Sequence, residues 1–224
     1  MDAIEKALQE GKSTLSEFES KRLLAAYGIP VTREVLVASR EDLLAAVRAI
    51  GFPVVLKGST AEVSHKTEKG LVKVDIRTEE EAEAAFEALM AAAPRGSEVL
   101  VQEMVGGKRE LMAGLTRDPQ FGPCVMFGLG GIFTEILHDV SFRVAPLTRA
   151  DALGMMAEIR GHKILDAIRG MEPVDRQALA DILMNLGKMG LEHENVKEVD
   201  INPLIVRDGI PVAVDSLVVV QRSA

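Results

Sequence analysis

The sequence of 224 residues predicts an α+β protein made of two lobes. Beyond residue 105 strands come first and helices afterwards, and that order argues for α+β packing rather than regular βαβ units. A glycine joint, Val105-Gly106-Gly107-Lys108, divides a compact mixed segment from these later elements and reads as flexible. The tail closes on Asp208-Gly209 between alternating apolar residues, a strong signal for a two-residue hairpin. The expected lobes cover about 31–104 and about 1–30 plus 105–224, within one domain spanning 1–224.

Ser16-Glu17-Phe18-Glu19 reads as a capping box that opens a helix running to Tyr27, closed by Gly28 with Pro30 beyond it. Periodicity then gives a strand over 34–37, a helix over 41–50, strands over 53–57 and 71–76, a helix over 79–92 and a strand over 99–104. Ser39 with Asp42 and Thr78 with Glu81 cap the two helices, and Gly51 follows the first. Past the joint come strands over 110–116 and 123–127, helices over 149–160, 162–168 and 175–191, and the hairpin.

A formal net charge of -8 argues against wholesale nucleic-acid binding, while leaving room for a local basic pocket around a phosphate. Cys124 is the sole cysteine, which excludes an internal disulfide and suits a reducing compartment. It reads as a small buried residue rather than a nucleophile. The first residues carry no signal peptide, and no apolar run approaches the roughly 18 residues of a membrane span. A cytoplasmic location is expected.

Extending the pairing of Arg207 with Ile210 back along both tail strands sets Asn202 against Asp215. Directly opposed side chains have Cβ atoms about 4.5–5.5 Å apart. Alternation puts Glu198, Asp200 and Asn202 on one face and Val199 and Ile201 on the other. These hard oxygens suit a magnesium ion on nucleotide phosphates, which takes only one or two protein oxygens. A solvated edge hairpin is the alternative, since Pro203 and Pro211 also suit an edge strand.

Lys57 ends the apolar run 53–56, where a long cation either meets a phosphate or lies on the surface. The loop from Gly58 to Gly70 is long for a strand connection and places His65 beside Lys66. A neutral imidazole there is a phosphoryl acceptor or an ordinary loop histidine. Phe127-Gly128-Leu129-Gly130-Gly131 follows an apolar strand, so its backbone approaches an anion closely or simply turns. It has neither dinucleotide nor P-loop spacing. Arg143 is a candidate clamp on a γ-phosphate, with a structural ion pair as the equal alternative.

Four blocks in order, His65-Lys66-Thr67-Glu68, Arg117-Asp118-Pro119-Gln120-Phe121-Gly122-Pro123, Phe127-Gly128-Leu129-Gly130-Gly131-Ile132-Phe133 and Asp200-Ile201-Asn202-Pro203, carry a resemblance that covers nearly the whole chain. The chain resembles the nucleotide-binding β subunit of ADP-forming acyl-CoA synthetases, of the acetate–CoA ligase type, an ATP-grasp family related to succinyl-CoA synthetases. The resemblance implies an ATP-grasp fold with ATP or ADP and Mg2+ held in a cleft enclosed by two lobes. It implies Lys57 and the glycines Gly128, Gly130 and Gly131 on the nucleotide, and Gln102-Glu103-Met104-Val105 meeting adenine mainly through backbone. Asn202 and Asp215, with Asp200 beside them, would hold the magnesium. Glu110 and Arg143 occupy family positions near the phosphates, and His65 the position of a histidine that relays a phosphoryl group. The implied partner is a CoA-binding α subunit in an α2β2 assembly. The sequence departs from the family's pattern at Leu71, where a second glycine is usual, at Ala61, where a proline is, and at Glu62, where Asp is favoured. Two other readings stay open: a stand-alone ATP-grasp carboxylate ligase, disfavoured by the histidine motif, and a non-catalytic nucleotide-sensing subunit, disfavoured by Lys57, Asn202 and Asp215.

Overall fold

The computed structural model describes residues 3–59, 71–94, 96–131, 139–168 and 170–222. The chain divides into two compact units, one of Met1–Val31 with Gly106–Ala224 and one of Thr32–Val105. The first unit opens with helices α1 (Ala3–Gln9) and α2 (Glu17–Ala26). At the start of α2 the Glu19 amide donates to the Ser16 hydroxyl at 3.2 Å and the Ser16 amide to the Glu19 carboxylate at 2.9 Å, the expected capping box.

The second unit contains β1 (Glu34–Val37), α3 (Arg40–Ile50), β2 (Val54–Ser59), β3 (Val72–Ile76), α4 (Glu79–Ala92) and β4 (Glu98–Glu103). Its antiparallel sheet runs in the order β1-β4-β2-β3. Ser39 and Thr78 cap α3 and α4 through their hydroxyls. Val54, Leu56, Val99 and Val101 pack with Leu43, Val47, Phe86 and Leu89 in one core, so the helices cover that side of the sheet. The alternate residues Val55, Lys57, Leu100 and Gln102 share the other face.

The first unit resumes with β5 (Glu110–Asp118), β6 (Gly122–Leu129), β7 (Val140–Val144), α5 (Arg149–Glu158), a 3-10 turn (His162–Leu165), α6 (Arg176–Glu192), β8 (Val196–Arg207), β9 (Ile210–Ala213) and β10 (Ser216–Val220). The strands form one antiparallel sheet in the order β10-β8-β5-β6-β7, with β9 also on β8. Leu115, Val125, Val199 and Val218 line up across it and pack with Leu24, Met155, Leu183 and Leu186 from the helices. The next row, Phe142, Met126, Gly114, Asp200 and Leu217, faces the other way, and Phe142 and Leu217 at its ends are exposed.

Besides helix α1, which precedes the first helix expected, four features differ from the sequence expectation. Strand β7 has an inverted pattern: Ser141 is buried and donates to the Met155 carbonyl at 3.0 Å, while Phe142 and Val144 are exposed. The alternation of Val140, Phe142 and Val144 carries a strand signal, but it would turn the wrong face toward the core. The helix expected over 162–168 is only the single 3-10 turn, because the Arg109 guanidinium takes the carbonyls of Ile164 at 3.3 Å and Asp166 at 3.2 Å. The hairpin extends beyond Asp215 into β10. The joint is close-packed at Gly107, where a Cβ would collide with Ile205 and lie 2.8 Å from the Val206 carbonyl. Glycine is required there by the approach of β8.

Candidate nucleotide and cation site

The tail strands keep one register from Arg207 back to Glu198, shifting only between Val219 and Val220. Arg207 pairs with Ile210 and Leu204 with Ala213, and the same pairing continues as Ser216 with Ile201 and Leu217 with Asp200. Asn202 consequently lies opposite Asp215. Against β5, however, β8 slips by one residue, since Leu204 pairs with Leu111 but Ile201 with Ala113. Ile201 and Leu204 both enter the core, so one extra residue sits between them at Asn202-Pro203, and Val214-Asp215 carries the matching extra residue between β9 and β10. Bulges of this kind re-aim side chains beside active sites. The Asn202–Pro203 bond is cis.

Gly131, just past β6, donates its N–H to Asn202 Oδ1 at 3.3 Å. Gly130 donates to the Glu110 carbonyl at 2.9 Å. Gly131 has a φ of 61°, and a Cβ on it would collide with the Glu110 carboxylate. The structure thus brings Glu110, Gly130, Gly131 and Asn202 together, with Asp215 opposite Asn202. Asp200 follows one alternation along. Its carboxyl is pushed up to about 6, first by burial and then by the charges of Glu198 and Asp215.

Packing explains the other glycines of the block. A Cβ on Gly128 would lie 2.6 Å from the Asp139 carbonyl, and one on Gly130 would lie 2.5 Å from that of Leu111. Among the described residues no three His, Cys, Asp or Glu side chains gather as a metal cage. The candidate donors are instead the amide oxygen of Asn202 and the carboxylate of Asp215, with Asp200 one alternation along. Such hard oxygens fit a Mg2+ ion that keeps water and phosphate as its remaining ligands.

In the second unit, Lys57 and Gln102 lie buried on the sheet face away from α3 and α4. Glu103 is held by Arg33, whose amide and Nε donate to its carboxylate at 3.0 and 3.1 Å. The Glu103 amide donates to the Arg33 carbonyl at 2.9 Å, and the Met104 amide to the Pro53 carbonyl at 3.1 Å. Met104 is partly exposed and Val105 buried. Sequence reasoning does not single out Arg33, since strand pairing brings it to Glu103 across 70 residues and no local pattern marks it.

Arg143 stands elsewhere. It pairs with Val125 in the sheet, in the row that packs on the helices, and makes a two-pronged ion pair with Glu158 of α5. The structure therefore places it on the opposite face from Asp200 and supports the ion-pair reading over the phosphate clamp. His65 lies outside the described residues. No described helix is long and apolar enough to cross a membrane.

Comparison with known proteins gives the family. The ATP-grasp domain family model matches residues 6–220. The chain is 44% identical over 221 residues to acetate–CoA ligase [ADP-forming] I subunit beta of Pyrococcus furiosus, covering 96% of this chain and 95% of that protein. Among solved structures, the dinucleotide-forming acetyl-coenzyme A synthetase 1 of Ca. Korarchaeum cryptofilum, in complex with coenzyme A, Ca-AMPCP and HgCl+, matches with a TM-score of 0.93 at 44% identity, over 98% of this chain and 99% of that one. The same enzyme in complex with coenzyme A and Mg-AMPPCP, its phosphohistidine segment pointing towards the nucleotide binding site, matches with a TM-score of 0.89 at 44% identity and the same coverage. The chain belongs to the ATP-grasp domain family and, within it, to the group of ADP-forming acetate–CoA ligase β subunits.

Proposed function

We propose that this chain is the nucleotide-binding β subunit of an ADP-forming acyl-CoA synthetase of the acetate type, an acid–thiol ligase that works with a CoA-binding α subunit in an α2β2 assembly. The overall reaction is acyl-CoA + ADP + phosphate ⇌ carboxylate + ATP + CoA. The chain's own step is the transfer of a phosphoryl group from a phosphohistidine, protonated on its other ring nitrogen, to ADP: the N–P bond breaks, an O–P bond to the terminal ADP oxygen forms, and the imidazole leaves neutral, keeping that proton. The carrying observation is the meeting of Asn202, Gly131 and Glu110, with Asp215 opposite Asn202, on the sheet face away from the described helices of the core.

Asn202 and Asp215 would hold Mg2+, with Asp200 beside them. The raised Asp200 carboxyl supports this reading, since a half-buried carboxyl beside the charges of Glu198 and Asp215 is relieved by a cation. When bound, the ion neutralises phosphate charge during transfer. Glu110, Gly130 and Gly131 shape the phosphate end of the site, with Gly128 behind them in β6. Lys57 is assigned to the phosphates as a point charge. Gln102, Glu103, Met104 and Val105 are assigned to adenine through main-chain groups other than the two amides that Arg33 and Pro53 already engage. His65 is the relay histidine of this reading, and Arg143 has no part in it.

The test is ATP formation from acetyl-CoA, ADP, phosphate and Mg2+ after mixing the chain with a CoA-binding subunit from the same source. Synthesis that needs both subunits is expected. Silence with every such subunit would sink the proposal, and turnover by the isolated chain with a carboxylate and an acceptor would favour the stand-alone ligase. Acid-labile label from radiolabelled ATP should disappear in His65→Ala.

A further inference from the structure

We infer that Lys21 is a positioning residue for the cation end of the site, an inference that rests on the proposed assignment of Asn202 and Asp215. Lys21 is only 1% exposed on α2. A buried ammonium is costly unless it is paired and hydrogen-bonded. Its Nζ lies 3.1 Å from Glu17 Oε1, one helical turn earlier, and donates to the Val214 carbonyl at 3.2 Å. Val214 immediately precedes Asp215. The bond therefore fixes the peptide plane from which the Asp215 side chain departs.

The surrounding bonds extend that hold. The Val214 amide donates to the Pro203 carbonyl at 3.1 Å and the Ala213 amide to the Pro30 carbonyl at 2.9 Å. On the other side of Asp215, the Val218 amide donates to the Ser20 hydroxyl at 3.2 Å. Helix α2 thus grips the chain both before and after Asp215, through consecutive residues Ser20 and Lys21. Val214 falls between β9 and β10, where the extra residue interrupts the regular strand. An apolar residue at position 21 would pack on this core without any desolvation cost, but it would leave the Val214 carbonyl without the Lys21 donor. The buried charge holds the peptide from which a candidate ligand departs. Groups that orient metal ligands are worth roughly 10–100-fold in metal affinity.

The experiment measures Mn2+ binding to the full chain with AMPPCP present, by the resonance signal of free Mn2+, alongside thermal melting. Lys21→Met and the double variant Glu17→Leu/Lys21→Met are expected to weaken Mn2+ binding about tenfold or more. AMPPCP binding in chelator should stay unchanged. The double variant should melt near the unsubstituted protein, because replacing a whole buried ion pair by apolar groups is often tolerated. If Lys21→Met fails to fold, the double variant carries the test. A folded double variant with unaltered Mn2+ affinity overturns the inference and leaves Lys21 a purely structural residue. Asp215→Ala separates the two levels: if it weakens Mn2+ binding while the Lys21 variants do not, the site assignment stands and this inference falls. If it leaves Mn2+ binding intact, the site assignment itself falls.

Discussion

Gly131 donates its backbone N–H to the side-chain oxygen of Asn202 at 3.3 Å, across 71 residues of sequence. The glycine block and the tail bulge therefore meet in space. The amide that a glycine-rich turn offers to an anion is here spent on orienting a candidate metal ligand, and the Gly130 amide is taken by the Glu110 carbonyl.

Gly131→Ala should damage both stability and binding. Its φ of 61° costs an alanine roughly 1 kcal/mol of backbone strain, and the new Cβ forces Glu110 to move. Gly122→Ala is the control, since Gly122 also has a positive φ but nothing within 4 Å of a Cβ. Denaturant unfolding should show both variants destabilised. Calorimetry with Mg-AMPPCP should show several-fold weaker binding for Gly131→Ala alone, and equal binding by the two variants would contradict the shared site.

Arg143→Ala and Glu158→Gln should leave nucleotide affinity unchanged. The pair is bidentate and locally consistent, with the Arg143 guanidinium pushed up by its bond to Glu158 and the Glu158 carboxyl held down by the same bond. Being largely exposed, it contributes little to stability. A tenfold loss of Mg-AMPPCP affinity in Arg143→Ala would restore the clamp.

How much was legible in the sequence follows from the range of each signal. Caps at Ser16, Ser39 and Thr78 and the hairpin register are set by neighbours in sequence or by a single turn, and they read correctly. The opposition of Asn202 and Asp215 was legible because both strands carry the extra residue and so keep register with each other. The slip against β5 was not, because it depends on which strand lies beside β8. Strand β7 has a visible alternation at Val140, Phe142 and Val144, but its apolar side turns outward, so which face meets the core was not legible. The side of the sheet that Arg143 occupies follows from its pairing with Val125, a contact no local pattern announces. Pairing α2 with the segment before Asp215 likewise needs the tertiary fold, although Glu17 and Lys21 show an i,i+4 spacing.

Asp215→Asn should separate charge from shape. The amide keeps the size and one oxygen, so the register and melting temperature should hold. The site loses a formal charge, and Mg2+ competes poorly with water for neutral oxygens. Mn2+ titration with AMPPCP should show at least tenfold weaker binding, while AMPPCP alone binds as before. Unchanged Mn2+ affinity would remove Asp215 from the ligand set.

Asp200 makes the metal-free protein pH-sensitive in a direction opposite to that of an ordinary salt-bridged acid. Its carboxyl is raised to about 6 in the folded chain from 3.8, so between those values the folded state binds more protons than the unfolded state. Stability must then fall as pH rises through that window, with the favourable contribution fully present below the unfolded value and lost above the folded one. In chelator, denaturant midpoints should decline from about pH 4 to about pH 6 more steeply in the unsubstituted protein than in Asp200→Asn. Carboxyls such as Asp118, held down by the Phe121 and Gln120 amides, pull the other way in both proteins and cancel in the difference. Saturating Mg2+ should flatten the difference, because a cation beside Asp200 favours its ionised form. A slope that is identical in Asp200→Asn would show that Asp200 is not the group responsible, and a slope untouched by Mg2+ would show that no cation binds beside it.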